Sequence, residues 1–151
     1  KGISNACFLL AGEGPMKKEL QDIADKENLD VHFMGYCNQD TVIEFYALSD
    51  FFFLPSLQDC NPLSAIEAAF AGLPLCVSIY TGNSPELIQP YKNGVVFDIL
   101  DTEEVQACIY FLLNASEEWV SNAGRESLAI AQNSFACINE TKKFLAQLRE
   151  G

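Results

Sequence analysis

Five short apolar runs recur along the chain, and the segments between them read as helices. The runs are ACFLLAG (6–12), VHFMG (31–35), DFFFLPS (50–56), PLCVSIY (74–80) and GVVFDI (94–99). They are continuous rather than alternating, which predicts strands buried on both faces of a parallel sheet. Parallel neighbours need a crossover, so strand–helix alternation implies right-handed βαβ units and an open α/β fold with a doubly wound parallel sheet.

The intervening segments carry helical signals. Met16, Leu20, Ile23 and Ala24 form one stripe over 16–27. Asn38 reads as a cap for a helix over 40–48 that stripes Val42, Phe45 and Tyr46. A third helix covers 62–71, with Ala65, Ala68 and Ala69 small enough to let it lie close on the sheet. Ser84, Pro85 and Glu86 read as cap, first-turn proline and first-turn acid of a short helix. Asp101 and Glu104 read as a capping box ahead of Val105, Cys108, Ile109, Leu112 and Leu113. Ser116 opens another helix, and a last one is expected at 135–149.

The length of 151 residues suits one domain, 1–151, with a real core, and 49% apolar content indicates a globular chain. The net charge of −12 argues against nucleic acid as a partner, since that binding leans on clustered Lys and Arg. It leaves room for a small anion held by backbone amides. No apolar run approaches the length of a membrane span. The six cysteines contain no CxxC pair and His32 is the single histidine, so metal-site spacing is absent and no metal is expected. Most of the cysteines fall in apolar surroundings and read as small core residues of a protein in a reducing compartment. The sequons at Asn114 and Asn139 read as chance matches. Because the chain opens with Lys1, a fragment of a longer chain is expected.

In an open parallel sheet, ligands sit beyond the carboxyl ends of the strands. The loop after the first run carries Gly12 and Gly14, which permit a tight turn and close approach to a ligand, or serve a plain turn. It lacks a dinucleotide fingerprint and a Walker lysine. Gly35 and Tyr36 end the second run; an aromatic there can lie near a base or sugar, or simply pack on the surface. The third loop leads into LSAIEAAFAG, where Pro62 fits a helix start and Gly72 its end. The amides near Leu63 and Ser64 form an anion site at a helix N-terminus.

Asp59 precedes those amides. Glu67, four residues after Leu63, lies on the same side one turn deeper. A charge in so apolar a helix must reach the surface or have a partner. An ionised carboxylate only accepts hydrogen bonds, so it suits hydroxyl groups rather than phosphate. Amides for phosphate beside acids for hydroxyls is the chemistry of a nucleotide sugar. The plainer reading is a Glu on an exposed helix rim and an Asp capping a turn.

Together, FLLAGEGP, VHFMGY, FFFLPSLQDCNPLSAIEAAFAGLPL, TGNSPELI and NGVVFDI resemble the family-4 retaining glycosyltransferases, over roughly residues 7–135. The likeness is to the C-terminal, donor-binding half of their two-domain GT-B fold, a Rossmann-like three-layer α/β/α domain. The family's two glutamates, seven residues apart, fall on Asp59 and Glu67. The resemblance implies that Glu67 holds the ribose hydroxyls and that Asp59 stands near the donor sugar. It implies that amides of Asn61, Pro62, Leu63 and Ser64 meet the sugar and diphosphate. Gly12 and Gly14 would lie on the phosphate side, Gly35 and Tyr36 near the base, and Gly82 to Leu87 along the cleft.

The chain departs from the family at Asp59, which is shorter than glutamate by one bond, roughly 1.5 Å. It also lacks the Arg and Lys of the domain's first strand–helix unit, although Lys1–Gly2 is similar to the family's Lys-Gly pair. That unit and the acceptor-binding domain are therefore expected to be missing, and the isolated chain to have little activity. The resemblance implies a UDP-, GDP- or ADP-linked donor as substrate, no cofactor, a glycan or lipid-linked acceptor, and a cytoplasmic parent peripheral to the membrane. Competing readings are a nucleotide-sugar epimerase, a glycogen-synthase-like enzyme or a non-catalytic donor-binding module. A receiver domain fits poorly, because the third run ends LPS with Asp50 at its start.

Overall fold

The computed structural model describes residues 6–136. In chain order the elements are β1 (Phe8–Ala11), α1 (Lys17–Glu27), β2 (Val31–Gly35), α2 (Gln39–Leu48), β3 (Phe52–Leu54) and α3 (Leu63–Phe70). Then follow β4 (Leu75–Ser78), α4 (Ser84–Leu87), β5 (Gly94–Phe97), α5 (Thr102–Asn114) and α6 (Glu117–Ser134). All five apolar runs are strands, every ladder is parallel, and a helix joins each consecutive pair. The chain is thus α/β, as its alternation requires.

It divides into two compact units, one reaching Leu48 and one starting at Ser49. In the first, β1 pairs with β2 in the register Phe8↔Val31 and Leu9↔His32. Asn38 caps α2 as expected, accepting the Thr41 amide at 2.9 Å. Burial departs from expectation. All of β1 is exposed, as are Met16, Leu20 and Ile23 of the α1 stripe, while Ala24 is buried. β1 pairs with β2 on one edge, and with its side chains exposed the two-sided burial expected of it is not reached among the described residues.

In the second unit β4 lies between β3 and β5, and Leu75, Cys76, Val77 and Ser78 are fully buried. Cys76, Phe97 and Cys108 form a core onto which Phe53, Val95, Val105 and Leu112 pack. The Phe53 and Phe97 rings stack at 5.1 Å. Burying a side chain such as Phe97 contributes about 1.5–3 kcal/mol. The expected alanine face of α3 is fully buried, but it packs chiefly on α6, with β3 and β4 as lesser neighbours. α6 offers a mostly small buried face of Ala123, Gly124, Ser127 and Ala131, with Ile130 beside them, which permits the close contact. A methyl group on Gly124 would stand 2.1 Å from the Gly72 carbonyl oxygen, so the two backbones approach closer than any side chain allows.

Three local expectations are corrected. Asp101 caps α5 by accepting the Glu103 and Glu104 amides, but Glu104 reaches back to the Asp98 amide at 2.8 Å, not to Asp101. The Asp101 amide already donates to the Asp98 carbonyl, which leaves it no need of Glu104. The cap of α4 is Asn83 rather than Ser84, and its side chain is turned elsewhere. Cys7 and Cys60 are exposed rather than core residues. The helix expected at 135–149, Lys1–Gly2 and Cys137 lie outside the described residues, save that Phe135 ends α6.

Candidate functional site

Pro55 follows the last residue of β3, and the chain then runs as a loop to α3. That loop is fastened to the one after β4. The Asp59 amide donates to the Tyr80 carbonyl at 3.2 Å, and the Gly82 amide donates to the Asp59 carbonyl at 2.8 Å. These two bonds bridge Asp59 and Thr81 in parallel. The approach needs Gly82, because a methyl there would meet the Cys60 carbonyl oxygen at 2.2 Å. Asn83 completes the fastening. Its Nδ2 donates to Asn61 Oδ1 at 3.1 Å and to the Pro62 carbonyl at 3.2 Å. Asn83 Oδ1 and Thr81 Oγ1 are buried beside this loop with no hydrogen-bond partner among the described residues.

The fastening holds the loop that carries Asp59. Asp59 is half-buried, and its Oδ1 accepts the Asn61 amide at 3.1 Å. This is the turn-capping role that a short acid favours. The Asn61 N–H is engaged by Asp59. Pro62 is buried, carries no N–H to donate, and sits at the N-cap of α3 with extended backbone. Pro62 makes no side-chain cap to that helix end. Its first amides belong to Leu63, which is exposed, and Ser64, which is half-buried. Glu67 is exposed on the same stripe as Leu63, opposite the alanine face. The charge in this apolar helix therefore reaches the surface. The second unit thus carries Asp59 in the loop ahead of α3 and Glu67 one turn into that helix, whose N-cap Pro62 makes no side-chain cap.

The other four expected residues belong to the first unit. Gly12 adopts φ 129° and Gly35 φ 70°, and the Gly12 amide donates to the Gly35 carbonyl at 2.7 Å. The loops after β1 and β2 are therefore joined at their bases. A Cβ on Gly35 would lie 2.6 Å from a Glu13 carboxylate oxygen, whereas the space around Gly14 is open. Glu13 is held by Lys17 at 2.9 Å. Tyr36 is 87% exposed, so its ring is unconstrained by packing. Sequence reasoning missed the Glu13–Lys17 pair, whose signal was its helical spacing. It also missed Asn83, whose partners are remote in sequence.

The model of the family described as glycosyl transferases group 1 matches residues 1–126. A sulfoquinovosyl transferase of Arabidopsis thaliana is 31% identical over 129 residues, covering 82% of the chain and 25% of that protein. An N-acetyl-alpha-D-glucosaminyl L-malate synthase of Bacillus anthracis is 29% identical over 123 residues, covering 82% and 32%. The chain therefore spans about a quarter to a third of these relatives' length. Among solved structures, the Anabaena protein HepE in complex with UDP-glucose matches with a TM-score of 0.75 at 18% identity, covering 96% of the chain and 41% of that structure.

Proposed function

The chain belongs to the glycosyl transferases group 1, and on that premise we propose that it is the nucleotide-sugar-binding half of a family-4 retaining enzyme. The observation that carries this reading is the N-terminus of α3, where Pro62 makes no side-chain cap, with Asp59 in the loop ahead of it and Glu67 on the exposed stripe of the helix. The amides of Leu63 and Ser64 receive the diphosphate, whose charge the helix end favours. Glu67 accepts hydrogen bonds from the ribose hydroxyls. Asp59, with Oδ1 committed to its turn, offers Oδ2 to a hydroxyl of the donor sugar. The side chain of Asn61 and the ring of Pro62 line the same loop. Gly12 and Gly14 are assigned to the phosphate side of the donor, and Gly35 with the exposed Tyr36 to its base. In the transfer step, charge developing on the departing diphosphate is met by the helix amides. No cofactor or metal is assigned a part. A relative fold holding UDP-glucose supports a nucleotide-sugar donor, with UDP, GDP and ADP as the bases to test.

We further propose that the parent protein supplies a basic strand–helix unit and an acceptor domain that binds a glycan or lipid-linked acceptor, and that it works in the cytoplasm at a membrane face. The exposed apolar residues of β1 support a further covering element. No helix of the described residues is long and apolar enough to cross a membrane.

Calorimetric titration with UDP-, GDP- and ADP-sugars tests the site. One donor is expected to bind, Glu67→Ala to weaken it at least about tenfold, the 1.4 kcal/mol of a charge-assisted hydrogen bond, and Asp59→Ala to weaken the sugar nucleotide more than the bare nucleoside diphosphate. Absence of any nucleotide binding, or an unchanged Glu67→Ala variant, overturns the assignment. Anomer analysis of the parent's product decides retention.

A further inference from the structure

The parallel ladder of the first unit brings together three side chains that the donor site does not use. Phe8 pairs with Val31 and Leu9 with His32, and the Phe8 amide donates to the Asp30 carbonyl at 2.9 Å. Extending that register by one residue sets Cys7 beside Asp30. Side chains alternate along a strand, so Asp30 and His32 share one face, and Cys7 shares it with them. His32 Nε2 lies 2.9 Å from Asp30 Oδ1. Cys7 Sγ, an Asp30 carboxylate oxygen and a His32 ring nitrogen all lie within 4.8 Å of one another.

An exposed His–Asp pair by itself is an ordinary surface contact, worth little. The thiol changes the chemistry. Sulfur is too weak a hydrogen-bonding group to be needed by that pair. As thiolate, beside an imidazole nitrogen and a carboxylate oxygen, it completes a three-ligand set of borderline softness. Hard cations such as Mg2+ and Ca2+ prefer all-oxygen shells, which this set is not. Ligands on a tetrahedral Zn2+ at about 2.0–2.3 Å stand roughly 3.3–3.8 Å apart. To reach that geometry the His32–Asp30 pair, at 2.9 Å, opens by a few tenths of an ångström and the Cys7 sulfur closes by no more than about 1.5 Å; all three side chains are exposed, so their rotamers are free to do so. The net charge of −12 raises the local concentration of any cation.

We propose that Cys7, Asp30 and His32 form a Zn2+ site with a fourth position open to water. Cys7 binds as thiolate and gives its proton to solvent. His32 binds through Nε2, which is the nitrogen that faces Asp30, and Asp30 binds through one oxygen. The site lies at the amino ends of β1 and β2, whereas Gly12 and Gly35 stand at their carboxyl ends. It is therefore separate from the donor-binding loops. Its effect is to clip the start of β1 to the start of β2. That matters most in a ladder of two strands, which holds together weakly by itself.

The test uses the full 151-residue chain, reduced and freed of metal, titrated with Co2+ as the spectroscopic stand-in for Zn2+. A thiolate-to-cobalt charge-transfer band should rise to one equivalent, together with visible bands of tetrahedral intensity, and Zn2+ should abolish both. Cys7→Ser should remove the charge-transfer band. His32→Ala and Asp30→Ala should each weaken Co2+ at least about tenfold. His32 is the single histidine, so His32→Ala reports on this site alone. Circular dichroism of each variant establishes that it is folded. No charge-transfer band, or a band that survives in folded Cys7→Ser, overturns the proposal; the latter result would place the metal on another cysteine. Neither result bears on nucleotide-sugar binding.

Discussion

Asn93 is fully buried, and both polar atoms of its side chain are used. Its Oδ1 accepts the Gln89 amide at 2.7 Å, and its Nδ2 donates to the Leu87 carbonyl at 3.0 Å and to Ser127 Oγ at 3.1 Å. One amide therefore ties the turn before β5 to α6. Asn93→Leu keeps the volume and strands those partners, at about 1–3 kcal/mol for each buried group left unsatisfied. A loss of about 2–4 kcal/mol is expected, read as a lower urea midpoint with unchanged slope; an unshifted midpoint refutes it. Nothing local in the sequence marked this residue, because its partners are spread from 87 to 127. Cys76 is a different case. Its place in an apolar run predicts burial, and burial is observed. The neighbouring Cys108 thiol and burial push the Cys76 thiol well up, and the thiolate is the reactive form. Iodoacetamide at neutral pH should thus label the exposed Cys7 and Cys60 in the folded chain, and Cys76 only after denaturation. Mass spectrometry that finds Cys76 modified in step with Cys60 would contradict this.

At the scale of elements, strands and helix starts were legible because period and caps are local. The five apolar runs needed only their length and continuity, and Asn38, Asp101 and Ser116 needed only the turn that follows them. What was not legible is how loops hold one another. Asn83 looked like the residue before a cap, yet its side chain fixes the loop that carries Asp59. The metal-ligating set escaped for the same reason: Cys7 and Asp30 meet through strand register, which spacing along one segment does not encode. The loop fastening is testable. Both of its side-chain bonds are donated by Nδ2 to oxygen acceptors, so neither Ala nor Asp can replace the amide at position 83. Two such bonds are worth about 1–3 kcal/mol, so Asn83→Ala and Asn83→Asp should each weaken nucleotide-sugar binding about tenfold or more. Asp should do worse than Ala, since it sets a carboxylate against the Pro62 carbonyl. Equal affinity of Asn83→Asp and wild type, by calorimetry, would show that the fastening does not present the site.

The whole molecule is uneven in how it is held together. The unit from Ser49 onward contains a fully buried central strand, a packed aromatic core and the small-residue contact of α3 with α6. The unit up to Leu48 has two buried residues among those described, Ala24 and Gly35, and leaves Phe8, Leu9, Leu10, Met16 and Ile23 exposed. Apolar burial supplies most folding free energy, at about 25 cal/mol per Å2, and local opening follows its distribution. The composition hid this difference, because both units are rich in apolar residues. What separates them is whether neighbours cover those residues. Hydrogen exchange on the 151-residue chain should resolve it. Amides of β1 and β2 are expected to exchange through a low-energy opening, while those of β4, hydrogen-bonded on both sides within its sheet, exchange only with unfolding of its own unit. The protection of β4 should fall with urea at a steep slope, and that of β1 at a shallow one, since a small opening exposes little surface. Equal protection and equal slopes for β1 and β4 would mean that the chain opens as one cooperative body, and that the exposed face of β1 makes no difference to its stability.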